Sequence, residues 1–256
     1  MSLMVSGAEN FFNVRHDQLP VVHGFFGRSG GVSPSPFDSL NGSVQKDPLA
    51  VLNRERVCSF LGVERAFFPF QDHTTRALVL PRDLDSLDQP ADALVSDVPG
   101  TALGVLTADC APVMFYSSKG IIGVAHAGCK GAISGVLENT VLAMQELGAC
   151  SLDITAVIGP TIRQTAYAVD SLFLEHVSDV SPFCVKTFFK TRWEKLFFDL
   201  PGYIQKRLGV CGVSLVYDTA VDTFGPFFFS RRYALCNGFQ EYGHSLSIIA
   251  LKHTAL

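Results

Sequence analysis

Short apolar runs broken by polar turns recur along this chain, and they define its predicted elements. Residues 103–106, 113–116 and 121–125 are three such runs in close succession, which is the spacing of neighbouring strands. Residues 154–158, 213–216 and 245–251 read as further strands, and 67–70 as a short one that delivers Gln71 and His73 at its end. The amphipathic stretch 4–22 predicts an edge strand or arm. From His23 a strand runs into the glycine-rich turn Gly27-Arg28-Ser29-Gly30-Gly31. Over 131–147 the period changes: Ile133, Val136, Leu137, Val141 and Met144 fall at helical spacing before Gly148 stops the helix. Residues 47–61 predict a helix with Asp47 as N-cap and Pro48 in the first turn, and 200–207 predict another. The Pro-, Ser- and Gly-rich segment 33–42 predicts a loop near the functional site.

Hairpin-like pairs mixed irregularly with crossovers favour mixed sheets covered by helices over a regular doubly wound fold. No fixed-period repeat or low-complexity linker divides the chain, so residues 4–256 read as one domain. Met1-Ser2-Leu3 ahead of Met4 is set aside as an appended leader.

Composition sharpens this picture. Of 256 residues, 48% are hydrophobic and 17% charged, yet no stretch reaches the ~20 apolar residues of a membrane helix. Twenty-one Phe residues must lie mostly in the core. A net charge of −4, with no Lys/Arg cluster longer than three residues, argues against a nucleic-acid partner. The N-terminus shows no basic segment followed by an apolar one, and the seven cysteines have no framework spacing. The expectation is a cytoplasmic protein with free thiols.

Three potential metal ligands sit at or just past buried-looking strands: His73 in Gln-Asp-His-Thr, Cys110 in Thr-Ala-Asp-Cys and His126 in Ala-His-Ala-Gly. Two neutral imidazoles and one thiolate suit a tetrahedral zinc whose fourth position stays open for chemistry. Singly, each is more often a buried thiol or a hydrogen-bonded histidine; the combination carries the reading. Asp109, beside Cys110, is placed to relay a proton or orient a ligand. Arg28, between glycines that let backbone N–H groups approach a ligand, is a candidate contact for phosphate or carboxylate. Arg231-Arg232 is a second candidate, and Cys129-Lys130-Gly131 opens a helix whose free N–H groups face outward. Each of these has a bland counterpart as a solvated cation.

With these motifs in order, the chain resembles the multicopper-polyphenol-oxidoreductase-like family, whose members also carry the name purine nucleoside phosphorylase. The resemblance runs from His23-Gly24-Phe25 and Arg28-Ser29-Gly30-Gly31 through Ser39-Leu40-Asn41, Asn53-Arg54, Gln71-Asp72-His73 and Ala91-Asp92-Ala93. It continues through Leu106–Val113, Ala125–Gly128, Gly159-Pro160, Tyr167-Ala168-Val169 and Phe228–Arg232. It implies an α+β fold of mixed sheets packed together with helices outside (α/β/β/α layers), similar to Cys–His deamidase domains. It implies His73, Cys110 and His126 as ligands of zinc, with copper the less favoured ion. Arg28, Asn41, Lys130 and Arg232 then become substrate contacts, and Cys110, His126 and Asp109 catalytic groups. The implied activities are phosphorolysis of adenosine, inosine, guanosine and methylthioadenosine, and deamination of adenosine. The partners are a nucleoside and phosphate, with no nucleic acid or membrane.

Three departures stand in this chain. Cys129-Lys130-Gly131 replaces Trp-Arg-Gly, His244 follows Gly243 where Arg is usual, and Gly159-Pro160-Thr161-Ile162-Arg163 ends in Arg instead of Gly. Two alternatives follow: a Cys–His hydrolase acting on an amide or a peptidoglycan precursor, and a non-catalytic metal-binding protein. A laccase is least attractive, because a trinuclear copper cluster needs many histidines and the chain has seven in all.

Overall fold

The computed structural model describes residues 3–5 (backbone only), 11–181, 183 and 185–252. The first strands are β1 (Leu3–Val5), β2 (Phe12–Val14) and β3 (Val22–Phe26), followed by helix α1 (Ala50–Leu61). Next come β4 (Ala77–Leu80), β5 (Ala93–Ser96), β6 (Ala102–Thr107), β7 (Ala111–Ser117) and β8 (Ile121–Ala127). Helices α2 (Cys129–Ser134) and α3 (Val136–Glu146) lead to β9 (Ile154–Ile158), β10 (Ala168–Val169) and α4 (Ser171–Val180). The chain closes through β11 (Phe189–Arg192), β12 (Lys195–Phe198), α5 (Leu200–Val210), β13 (Leu215–Asp218), α6 (Arg231–Cys236) and β14 (Ser245–Ala250).

Two sheets face each other. One is antiparallel, in the order β1-β2-β3-β14-β6; the other is mixed, in the order β13-β9-β7-β8-β5-β4. Strand alternation sorts the side chains between layers. In β5, Leu94 points between the sheets, while Ala93 and Val95 point to the helices α2, α3 and α5. Met114 of β7, flanked by Val113 and Phe115, does the same. On the far side, Leu246, Ile248 and Ala250 of β14 pack under Val57, Cys58 and Leu61 of α1. The result is the α/β/β/α layering implied by the resemblance. A three-stranded sheet, β10-β12-β11, flanks the helical layer. There Phe173, Phe189 and Tyr203 pack around the Phe198 ring and absorb part of the aromatic content.

Several elements differ from expectation. The helix over 131–147 is two helices, because Gly135 at φ +115° ends α2 and turns the chain into α3. Asp47 is not an N-cap: its carboxylate accepts from the Leu49 N–H, and α1 starts at Ala50. Residues 67–70 form only isolated bridges, at Phe67 and Phe70. The strand expected at 213–216 begins at Leu215. Leu3, set aside with the leader, pairs with Val14 in β1. Six free cysteines are described, Cys184 lies outside the described residues, and none of the helices described is long and apolar enough to cross a membrane.

Candidate functional site

His73, Cys110 and His126 converge: one donor atom from each lies within 4.8 Å of the others. The route differs from the expected one. β6 and β8 lie in different sheets, so Cys110 does not meet His126 as a strand-end neighbour. Instead, residues 108–110 cross from one sheet to the other. The β7–β8 register, Ala111 opposite Ala127 and Pro112 opposite His126, brings Cys110 beside the end of β8. Asp109, in the crossing, sits at φ +87°, and His73 at φ +54°. Both are non-glycine residues in the left-handed region, a cost of order 1–3 kcal/mol each that surrounding contacts must sustain.

Those contacts centre on Asp92. Its buried carboxylate accepts from the His126 Nδ1–H at 2.7 Å, the Asp72 and His73 N–H groups at 3.2 and 3.1 Å, and the Thr74 N–H and hydroxyl at 2.6 and 2.9 Å. Its carbonyl also accepts from the His126 N–H at 2.7 Å. One side chain thus fixes the loop carrying one imidazole and the ring orientation of another. Gln71 clamps the same loop by exchanging two 2.8 Å hydrogen bonds with the Leu106 backbone. A His126 that donates Nδ1–H to Asp92 turns the lone pair of Nε2 toward the shared point.

Electrostatics suit a cation. Burial lowers the His73 imidazole, and His126 lowers it further, so it stays neutral at pH 7. Burial alone would lower His126, but Cys110 and Asp92 beside it outweigh burial and push the imidazole up to about 9. At that value His126 carries a proton on Nε2 at pH 7 in the metal-free protein, and a bound cation would displace it to reach the lone pair. Nitrogen, nitrogen and sulfur around one point are the donor set zinc takes, so the residues fit the ion.

Gly128 leaves the room. A Cβ there would stand 2.7 Å from Cys110 Sγ and 2.9 Å from His73 Nδ1, although the backbone at φ −69° accepts any residue. Gly128→Ala should therefore weaken metal retention about tenfold or more while moving the Tm of the metal-free protein little. Metal content after dialysis, set against Tm, checks this. Equal retention in both proteins would show that the gap is not needed.

The triad opens onto a cavity of about 760 Å³. Arg232 lines it, and its guanidinium is held by the Ala168 carbonyl at 3.0 Å and by the Tyr167 ring. Asp109 also lines it, with Oδ1 accepting from the Thr223 hydroxyl at 2.8 Å and Oδ2 from the Arg232 N–H at 2.6 Å. These two bonds tie the start of α6 beside Cys110. Three expectations change. Arg28 does not line the cavity; its guanidinium pairs with Asp38 at 3.1 Å and packs on Phe229. Asn41 is buried outside the lining, where Oδ1 accepts from the Ser43 and His244 N–H groups. Lys130 is exposed and does not reach the lining. Arg163, the third departure, forks onto Asp218 with two 2.6 Å bonds.

Tyr167, noted in the sequence only as part of the resemblance, and His244, noted as a departure, line the same space. Burial, and Cys129 beside it, keep the Tyr167 phenol well above its ordinary value, hence protonated. His244 has its Nδ1 buried without a partner, and burial, Lys46 and His126 lower it to about 3. Asp92 had a readable signal: it precedes a buried strand, as a histidine-orienting carboxylate should.

The sequence pattern described as "multi-copper polyphenol oxidoreductase laccase" matches residues 22–252. A Streptomyces griseus protein named purine nucleoside phosphorylase ORF3 is 35% identical over 218 residues, covering 78% of this chain and 85% of its own. Another so named, SCO2081 of Streptomyces coelicolor, is 36% identical and covers 74% and 80%. Among solved structures, a hypothetical protein YfiH of Bacillus licheniformis superposes with a TM-score of 0.84 at 26% identity, over 96% of this chain and 97% of that one. The Neisseria meningitidis protein NMB0706 gives 0.82 at 29% identity, over 95% and 99%. A match of that extent, over the segment that carries all three converging donors, makes this chain a member of the multi-copper polyphenol oxidoreductase laccase family.

Proposed function

We propose that the chain is a zinc-dependent purine nucleoside phosphorylase with adenosine deaminase activity. The observation that carries this reading is the convergence of His73, Cys110 and His126 at one cavity walled by both aromatic rings and cations. When bound, zinc supplies a Lewis acid that polarises phosphate or lowers the pKa of a water to about 7. The chain's own residues do the rest. Phe70 and Tyr167 offer aromatic surface for a purine, and the cations of the wall hold phosphate. Tyr167, held neutral, keeps a hydroxyl for hydrogen bonding. In phosphorolysis a phosphate oxygen forms the bond to C1′ as the bond from C1′ to the purine nitrogen breaks. Ribose 1-phosphate and free base leave, with the proton going to the base. Among the described residues only one such donor set is gathered, which supports single-metal chemistry over multicopper oxidation.

The test is a product assay on metal-replete protein. Adenosine and inosine should yield free base and ribose 1-phosphate only when phosphate is present, and adenosine should yield inosine without it. Absence of phosphate-dependent base release would overturn the phosphorylase reading. One arrangement favours a second reading. His126 stands between Cys110, whose Sγ lies within 4.8 Å of its ring nitrogen, and Asp92, which accepts its Nδ1–H at 2.7 Å, the layout of a Cys–His nucleophile pair with an orienting carboxylate.

A further inference from the structure

We propose that Arg54 and Lys46 form a phosphate-holding subsite in the cavity wall, built from residues distinct from the His73–Cys110–His126 set. Arg54 projects from α1 and lines the cavity. Its Nε donates to the Gly42 carbonyl at 2.8 Å, and its guanidinium lies 4.1 Å from the centre of the Phe68 ring. Two constraints therefore aim the fork, yet among the described residues no carboxylate pairs with it. Burial lowers the Arg54 guanidinium to about 10, with only Cys58 acting in the other direction. A half-buried cation without a protein anion is a charge left for a ligand to neutralise.

Lys46 adds the second charge. Its Nζ stands 3.9 Å from the centre of the Tyr242 ring and donates to the Tyr242 carbonyl at 3.2 Å. Burial lowers this ammonium, and Arg231, another lining residue, lowers it further against the opposing effect of Glu241. Arg231 makes no side-chain hydrogen bond or ion pair among the described residues. Like charges gathered on one wall repel unless an anion sits between them. Of the two acids in the lining, Asp109 is engaged elsewhere and Asp88 is exposed. His244, close enough to Lys46 to be lowered by it, adds a neutral hydrogen-bonding ring and no charge.

A planar fork and a point charge on one cavity match a tetrahedral oxyanion. The choice of phosphate over other oxyanions rests on the phosphorylase reading; the subsite itself does not. The phosphate has two sources, the free inorganic ion and the phosphoryl group of a nucleoside 5′-monophosphate.

The experiment is calorimetric titration of the metal-replete full chain with inorganic phosphate, adenosine and adenosine 5′-monophosphate. It is run on the parent, Arg54→Gln, Lys46→Gln and Arg54→Lys. Both charge-removing variants should bind phosphate about tenfold more weakly or worse, with adenosine binding within about twofold of the parent and Arg54→Lys recovering part of the loss. If the free ion is the ligand, the KM for phosphate rises in Arg54→Gln and the 5′-monophosphate binds no better than adenosine. If the phosphoryl group is the ligand, the 5′-monophosphate binds better than adenosine, and Arg54→Gln erases that advantage. Parent-like binding of both phosphate and the 5′-monophosphate by the two charge-removing variants would overturn the subsite, as would failure of the parent to bind either. Lys46 is exposed, so its variant stays informative should Arg54→Gln fail to fold. Arg54-dependent phosphate binding without phosphorolysis would keep the subsite and reject the phosphorylase. Phosphorolysis with an unchanged phosphate KM in both variants would do the reverse.

Discussion

Chelation of the metal-replete protein should abolish base release from adenosine or inosine, and added zinc should restore it. His73→Ala should produce the same loss without unfolding the chain. His73 is the exposed member of the triad, and its contribution to the core is small. Its φ of +54° makes Ala there a cost of order 1 kcal/mol, a small part of domain stability. Loss of one of three protein ligands should lower turnover by about a hundredfold or more. Metal content, turnover and Tm measured together separate a lost ion from a lost fold. If Cys110 instead acts as a free nucleophile, the pattern inverts: a thiol-directed reagent traps it covalently, and chelation leaves activity intact or raises it. Cys129 lines the same cavity, so the labelling belongs in a Cys129→Ser background. Burial holds the Cys129 thiol above its ordinary value, and Cys150 and Cys236 are exposed free thiols, so the labelled residue is identified by peptide mapping against a Cys110→Ser control. Equal rates for His73→Ala and the parent would reject metal-dependent catalysis.

The parts of the molecule that were legible in the sequence are those whose signal is local. The runs at β6, β7, β8, β9 and β14 are short, apolar and bounded by turns, and each is buried as expected. α2 and α3 share one apolar face, so periodicity alone reads them as a single helix; only the left-handed backbone at Gly135 divides them. The donor triad was legible by residue type, but its geometry was not. Cys110 reaches His126 through a crossing between sheets, and no spacing rule encodes which strands pair. Arg28 looked like an anion contact because it stands among glycines. Those glycines serve a turn folded against Ser39, and Asp38 in the same loop takes the guanidinium. Arg54 was visible in the sequence only as part of the Asn53-Arg54 motif; that no carboxylate pairs with it among the described residues is a fact of the packed structure.

Asp92→Asn should cost more than any surface change and act on both stability and metal retention. The carboxylate is fully buried and accepts five hydrogen bonds, from the His126 ring, the Thr74 hydroxyl and the backbone N–H groups of Asp72, His73 and Thr74. An amide keeps one acceptor oxygen and turns an NH₂ group toward donors, leaving buried N–H groups unpaired. Breaking a buried charged network of this kind costs about 3–5 kcal/mol, and losing the group that orients a ligating histidine lowers metal affinity about 10–100-fold. Thr74→Val, which removes only the hydroxyl donor at 2.9 Å, should cost about 1 kcal/mol. The acid limb supplies a second readout. Burial alone would raise the Asp92 carboxyl, but the hydrogen bond and charge of His126 and the Thr74 donors outweigh it and hold it below its ordinary value. A carboxylate depressed in the folded state stabilises above its unfolded pKa of about 3.9 and loses that contribution as pH falls through the lower folded value. The parent should therefore show an acid-side loss of stability beginning below about pH 4, and Asp92→Asn should lack that part of it. Denaturant midpoints from pH 7 down to pH 3, measured on both proteins with metal content followed in parallel, check the claim. A variant with the parent's midpoint, acid limb and zinc content would show that Asp92 does not organise the site.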